Sequence, residues 1–238
     1  MTDSAYKFPE RRSQSGSAER NSKPIADTLC PLLSKWFSTI QRDARLLEIG
    51  SGEGEQLAAI VKGLQQKNDH SHKITIQPTE ADPQGCEDVD KRCNDLNSEH
   101  ICINACHCLD IDREEDWKLL AGDGFDVVML FNIVHIIPFL TVQNLFKHFG
   151  NQSPSVLNPT QGRIILYGAF DEEGKTRSEG NEKFDVYLKQ KDNRFGLRNI
   201  QTDLEPLAKQ SSLFLEEKIE MPSGNVSVDD AKENECEC

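Results

Sequence analysis

From residue 45 to about residue 220 the chain alternates between short apolar runs and segments whose apolar residues recur at helical spacing. Few folds accept that order: each strand followed by a helix must lie parallel to the next strand, with right-handed crossovers and helices on both faces of one sheet. The strand candidates are 45–50, 73–78, 101–105, 125–131, 162–168 and 213–219. Residues 125–131 (Phe-Asp-Val-Val-Met-Leu-Phe) and 162–168 are near-continuous apolar runs, the pattern of strands buried on both faces. In 73–78 the residues alternate, and Pro78 is expected to close that strand. Helices are expected at 25–37, with Pro24 in the first turn, and at 57–64, 84–98, 140–149 and 202–210. Residues 171–183, rich in glycine and polar side chains, read as a loop.

No repeat and no linker divides the chain. The expected organisation is a flexible segment over 1–18, one α/β domain over 19–228 and an acidic, disordered tail over 229–238. With 238 residues, 37% apolar and 28% charged, and a mean hydropathy of -0.58, the composition is that of a soluble globular protein. The formal charge of -13 argues against general nucleic-acid affinity, which rests on cationic contacts to phosphates. Eight acids against two lysines after residue 215 hold six of those thirteen excess charges. The first twenty residues lack the apolar core of a secretory signal, so an intracellular, reduced protein is expected, without a membrane segment and with free thiols acting as small apolar groups. Cys102 and Cys106 on one strand face would stand about 13 Å apart, too far for one ion, so no metal site is expected.

Chemistry concentrates in Glu48-Ile-Gly50-Ser51-Gly52-Glu-Gly54, which joins the first strand to a helix. The glycines allow a tight turn and bring a ligand against the backbone. In an open parallel sheet such a turn faces the crevice where ligands bind. A dinucleotide fingerprint needs glycine at its sixth position, and Glu55 stands there, which disfavours a nicotinamide oxidoreductase. An acid two residues before GxGxG is similar to the first motif of class I S-adenosylmethionine-dependent methyltransferases. That resemblance implies roles for an acid ending strand two, Glu80, on the ribose hydroxyls, and for Asp110 after strand three on the adenine amino group. The plain readings are a solvated carboxylate and a helix cap.

A longer ordered set points further: Ser17-Ala-Glu-Arg20-Asn21, Leu47-Glu-Ile-Gly-Ser-Gly52, Gln77-Pro78, Leu109-Asp110 with Trp117, Asn132-x-x-His135, Leu166-Tyr167-Gly168-x-Phe170, Asn181-x-x-Phe184-Asp185, Gly196-Leu-Arg198 and Met221-Pro222. Over residues 15–225 the chain resembles the methyltransferase-like protein twenty-six family. The resemblance implies a three-layer, Rossmann-like class I methyltransferase sheet of seven strands and S-adenosylmethionine as cofactor, with S-adenosylhomocysteine as product. It implies that Arg20 and Asn21, ahead of the first helix, fold over the cofactor, with Arg20 on its carboxylate. Catalytic candidates are Asn132, which aligns an acceptor or holds the cofactor, His135 as proton acceptor or core histidine, and Tyr167, lining the acceptor pocket or packing on the sheet. Ser178, Asn181 and Arg198 belong to a polar lid after strand five. The family's last strand is expected to be truncated here, because only residues 226–228 keep its apolar pattern. The expected function is methyl transfer to an unidentified acceptor, small molecule or protein; the alternative is a catalytically silent interaction protein. Oligomeric state is not legible.

Overall fold

The structure, a computed structural model, describes residues 16–67, 72–120, 122, 124–150, 155–222 and 225–232. In chain order the elements are α1 (Ser17–Thr39), β1 (Ala44–Ile49), α2 (Glu55–Lys67), β2 (Ile74–Glu80), α3 (Pro83–Cys93), β3 (Ile101–Ile103), β4 (His107–Cys108), α4 (Glu114–Lys118), β5 (Val127–Phe131), α5 (Phe139–Phe149), β6 (Arg163–Asp171), α6 (Glu179–Lys191), β7 (Arg198–Asn199), a π-helical turn over Ile200–Leu204, α7 (Glu205–Gln210), β8 (Leu213–Glu220) and β9 (Asn225–Lys232).

Seven strands form the sheet in the order β3-β2-β1-β5-β6-β9-β8, with β4 extending the pairing along β2 and β7 pairing with the end of β6. All neighbours run parallel except β9, which lies antiparallel to both β6 and β8. This is the mainly parallel, Rossmann-like three-layer arrangement expected. The order reverses at β1, which pairs with β2 on one side and β5 on the other, so the ligand crevice belongs at the carboxyl ends of β1 and β5. The period of two divides the core. Leu46, Val127, Met129, Phe131, Ile165 and Tyr167 face α1 and α2; Leu47, Ile49, Val128, Leu130, Ile164 and Leu166 face α5 and α7.

Several expectations are corrected. Helix α1 begins at Ser17, so Pro24 and Pro31 lie inside it, and Arg20 and Asn21 are on the helix rather than ahead of it. An interior proline costs about 3 kcal/mol, but Ile25, Leu29, Leu33 and Phe37 form a buried stripe worth roughly 2 kcal/mol each, and burial wins. Close packing helps: a Cβ on Gly63 of α2 would stand 2.5 Å from the Cys30 sulfur of α1. Strand β2 does not stop at Pro78 but continues to Glu80. The even-numbered residues of β2 bond toward β3 and β4, as Asn104 N–H to Ile76 C=O and Leu109 N–H to Glu80 C=O show. Pro78 lacks the N–H for that side. The third strand therefore breaks into β3 and β4 rather than running through 105, and the Gln77 amide fills the gap by donating to the Ala105 carbonyl at 3.0 Å.

Residues 171–183 are not one loop. β6 runs on to Asp171, and α6 starts at Glu179, capped by the Ser178 hydroxyl, which accepts from Asn181 N–H. The last strand is not truncated at residue 228. β9 spans eight residues, because a strand inserted between two others is held by backbone bonds on both edges and does not depend on an apolar face. Residues 229–232 thus belong to the sheet, while the rest of the expected tail and residues 1–15 lie outside the described residues.

At the amino end of the sheet Asp126, 1% exposed, accepts two bonds from the Arg42 guanidinium (2.6 and 3.0 Å) and one from Arg45 N–H (2.8 Å), joining β1 to β5. Replacing Asp126 by Ala strands a buried N–H and is expected to lower stability by on the order of 2 kcal/mol, read as a lower urea midpoint with unchanged slope.

Candidate active site

The loop after β1 turns through the left-handed region three times in five residues, at Gly50 (φ 70°), Gly52 (φ 61°) and Gly54 (φ 77°). At Gly50 a Cβ would come within 2.4 Å of Ile133, on the loop after β5; at Gly54 it would touch α3; at Gly52 it would meet nothing within 4 Å. The glycines therefore differ in purpose: the outer two let the loop pack, and Gly52 leaves backbone open to the crevice. Glu80, at the end of β2, accepts from Gly52 N–H (2.8 Å) through Oε2 and from Ala81 and Asp82 N–H (2.9 and 3.3 Å) through Oε1. Gly85 of α3 makes room for it, since a Cβ there would lie 2.6 Å from Glu80 Cγ. Its place inside a helix gives the sequence no turn signal to reveal it.

Glu48 and Ser51 are buried, with the Ser51 side chain in hydrogen-bonding reach of the Glu48 carboxyl and no other side-chain partner for Glu48 Oε2 or Ser51 Oγ among the described residues. Buried polar groups so thinly satisfied are uncommon and costly. Burial pushes the Glu48 carboxyl up to about 7; the Ser51 side chain opposes that shift, and the fields of Glu80 and Glu55 add to it. Glu55 itself, at the start of α2, pairs with Arg92 of α3 at 3.2 Å. Glu48, Glu53, Glu55 and Glu80 make the surroundings of the loop acidic.

Across the crevice Asn132 follows β5 with φ 59°, a conformation that a non-glycine residue adopts at a cost, and its N–H donates to the Tyr167 carbonyl at 2.7 Å. His135 is 2% exposed; its ring meets Phe184 of α6 edge-on (centroids 5.2 Å apart), and its Nδ1, without a partner among the described residues, lies 3.3 Å from where a Cβ of Gly168 would stand. Burial, with the Arg198 charge adding, lowers the His135 pKa to about 4. The loop holding both residues is clamped by Arg198. Its Nε donates to the Val134 carbonyl (3.1 Å), and Nη2 to the carbonyls of Ile137 (2.7 Å) and Arg194 (3.0 Å), while Gly196 N–H donates to His135 C=O. Arg198 is thus a clamp beneath the loop.

The element above this loop is fastened by charge. Arg177 bonds Asp171 with two nitrogens and Asp185 with a third, and Asp185 also accepts from Lys189 (2.6 Å) and Leu197 N–H (2.9 Å). Nothing in the sequence singles out Arg177, one of eleven arginines in the chain, set in a polar stretch. Asp110 Oδ1 accepts from Asp112 N–H, a local turn, and the Trp117 indole donates to the Ile111 carbonyl at 2.9 Å, fixing that loop. Glu48, the glycines, Glu80, Asp110 and Asn132 all stand at or after the carboxyl ends of parallel strands. Tyr167 is buried in the α1–α2 layer beside Phe131, Arg20 is exposed on α1 and Asn21 is half-buried there. Among the described residues no three His, Cys, Asp or Glu side chains could together hold a metal ion, and no helix is long and apolar enough to cross a membrane.

This sheet order and its glycine-loop crevice define the Rossmann-like methyltransferase fold. Solved structures that share it include an O-methyltransferase family protein from Burkholderia thailandensis (TM-score 0.64, 14% identity, 91% of this chain and 57% of that one). The mitomycin 7-O-methyltransferase MmcR (0.59, 16%, 80% and 49%) and a variant of LepI solved in complex with SAH and a substrate analogue (0.59, 16%, 84% and 46%) are similar too. The chain spans about half the length of these proteins, and at such identities the likeness is one of fold. A 128-residue stretch, 51% of the chain, is 28% identical to part of highly reducing polyketide synthase 2 of Gibberella zeae, covering 4% of that protein. Over residues 12–230 the chain matches, and belongs to, the family described as "Protein of unknown function (DUF938)".

The two buried groups titrate in opposite senses. Glu48, raised from 4.5 to about 7, stabilises the fold most at acid pH, and that contribution is lost as pH rises through 7. His135, lowered from 6.5 to about 4, contributes above 6.5 and loses it as pH falls toward 4. Melting temperatures from pH 4 to 8 are expected to fall less steeply on the alkaline side in Glu48→Gln, and less steeply on the acid side in His135→Gln, than in the native protein.

Proposed function

We propose that the chain binds S-adenosylmethionine at the carboxyl ends of β1, β2 and β5 and methylates an unidentified acceptor, a small molecule or a protein, leaving S-adenosylhomocysteine. The observation that carries this reading is the buried Glu48–Ser51 pair, which has no further side-chain partner among the described residues, at a loop whose Gly52 backbone is open. A ligand with an ammonium, a sulfonium and a ribose diol fits that donor set; a pyrophosphate does not, with Glu48, Glu53 and Glu80 around the loop and Glu55 on the helix start. The ordered motifs favour the methyltransferase-like protein twenty-six family as the nearer kin.

When bound, the cofactor supplies a methyl group already activated on sulfur. Glu80 is assigned to the ribose hydroxyls, Asp110 to the adenine amino group, and Arg20 with Asn21 to the carboxylate end. Gly50, Gly52 and Gly54 shape the seat, and Ser51 and Glu48 satisfy the cation. Asn132, held rigidly by Tyr167 C=O, orients the acceptor atom; rigid alignment is the main contribution a protein makes to such a transfer. His135, the sequence candidate for proton acceptor, is buried with Nδ1 against Gly168 and its pKa lowered to about 4, which makes it a weak base; its assigned role is to support, with Phe184 and Arg198, the loop that carries Asn132. Tyr167 forms the floor. The silent alternative rests on an altered last strand and an acidic tail, and β9, at eight residues, removes the first of these grounds.

Thermal unfolding with S-adenosylhomocysteine tests the reading. At 100 times its dissociation constant a native-state ligand adds about 2.7 kcal/mol, a clear rise in melting temperature. Gly52→Val is expected to abolish the rise and Asp110→Ala to reduce it, both with native circular dichroism. A rise with NADH and none with S-adenosylhomocysteine would overturn the assignment.

A further inference from the structure

Three thiols gather beside the residue that anchors the glycine loop. Cys86, in the first turn of α3, is buried and donates to the Glu80 carbonyl at 3.5 Å. Cys108 of β4 is exposed, sits opposite Glu80 in the β2–β4 register and donates to the Ala81 carbonyl at 3.5 Å. Cys106 and Cys108 both influence the Cys86 thiol electrostatically, and Cys86 and Cys108 donate to the carbonyls of consecutive residues, Glu80 and Ala81. Two sulfurs from separate elements thus hold consecutive peptides, and those peptides bear the Glu80 side chain and the Ala81 N–H that it accepts. The sheet and crevice described above make no use of these thiols.

We propose that Cys86 and Cys108 form a reversible disulfide, written by a hydroperoxide, that loosens Glu80 and weakens cofactor binding. The effect on binding rests on the methyltransferase reading; the crosslink does not. The exposed Cys108 sulfur attacks the outer oxygen of the peroxide, the O–O bond breaks, an alcohol leaves and a sulfenic acid remains. The Cys86 sulfur then attacks Cys108, the S–S bond forms, the S–O bond breaks, and water leaves with the Cys86 proton. Two thiols lose two electrons and the peroxide gains them. Both sulfurs surrender their bonds to the Glu80 and Ala81 carbonyls, so the peptide between β2 and α3 is freed to shift, and with it the carboxylate that holds Gly52 N–H. Burial pushes the Cys86 thiol up to about 11 and raises Cys108 as well, so few thiolates exist at neutral pH and the step is slow, which restricts it to sustained oxidant. Thiols of high pKa are poor leaving groups, which makes the finished disulfide slow to reduce.

Purified full-length protein treated with tert-butyl hydroperoxide is expected to lose two hydrogens and to yield a Cys86–Cys108 crosslinked peptide by mass spectrometry. Its affinity for S-adenosylhomocysteine should fall by about tenfold, within the usual range for coupling between sites, and return with dithiothreitol. Cys108→Ser should give neither crosslink nor loss of affinity, and Cys102→Ser should behave as the native chain. No crosslink, a crosslink that omits Cys86 or Cys108, or unchanged affinity in the crosslinked protein overturns the proposal. If the reduced protein fails to bind S-adenosylhomocysteine while the crosslink forms, the methyltransferase reading fails and the thiol pair stands.

Discussion

One carboxylate, that of Glu80, accepts hydrogen bonds from three backbone N–H groups on two separate stretches of chain, the loop after β1 and the turn into α3. Sheet pairing aligns β1 and β2 but does not dictate the path of the chain once it leaves them. The Glu80 bonds supply that path: Gly52 is held at a fixed point, Gly85 closes in from below, and the left-handed glycines absorb the torsion. Charge-assisted bonds of this kind are shorter and stronger than neutral ones, which suits a loop with little apolar surface of its own. The crevice depends on this knot before it depends on any residue that touches a ligand.

On the opposite wall the same problem has another solution. The loop after β5 is fixed from outside, by Arg198, whose guanidinium reaches three carbonyls and forms no carboxylate pair among the described residues. A buried cation held by carbonyls and by the face of Phe139, 5.4 Å from the guanidinium, is costly by itself, and the opposing fields of Asp203 and Asp185 temper it. His135 is kept from protonating first by its burial and then by the Arg198 charge. The two walls are thus electrostatically distinct: an acidic one under the glycine loop and a mildly cationic one under the β5 loop.

The strand and helix alternation is legible because it is written in side-chain periodicity, and buried strands such as 125–131 and 162–168 differ from their observed bounds by only a few residues. The positions of the glycine motif, Glu80 and Asn132 at the carboxyl ends of strands are legible because they follow from the strand pattern; that Glu80 anchors the loop through Gly52 N–H is not. Other features are not. Pro78 has the look of a terminator, yet a proline facing a gap in the neighbouring strand costs nothing there. Helix α6 hides among polar residues because its buried face is thin, chiefly Asp185 and Leu188 with Phe184 beside them, and no apolar stripe announces it. Strand β9 is longer than its apolar pattern because that pattern reports burial of side chains, whereas a strand between two others is specified by its backbone.

The position of β9 has a consequence for the order of events during synthesis. β6 and β8 are complete some time before residues 225–232 leave the ribosome, and until then each presents an unpaired edge toward the place the missing strand will fill. A nascent chain in that interval has most of its crevice elements and an open seam through its sheet. Such a seam accepts any extended peptide, its own or a neighbour's, so the interval between residue 220 and residue 232 is when this chain most needs protection from aggregation.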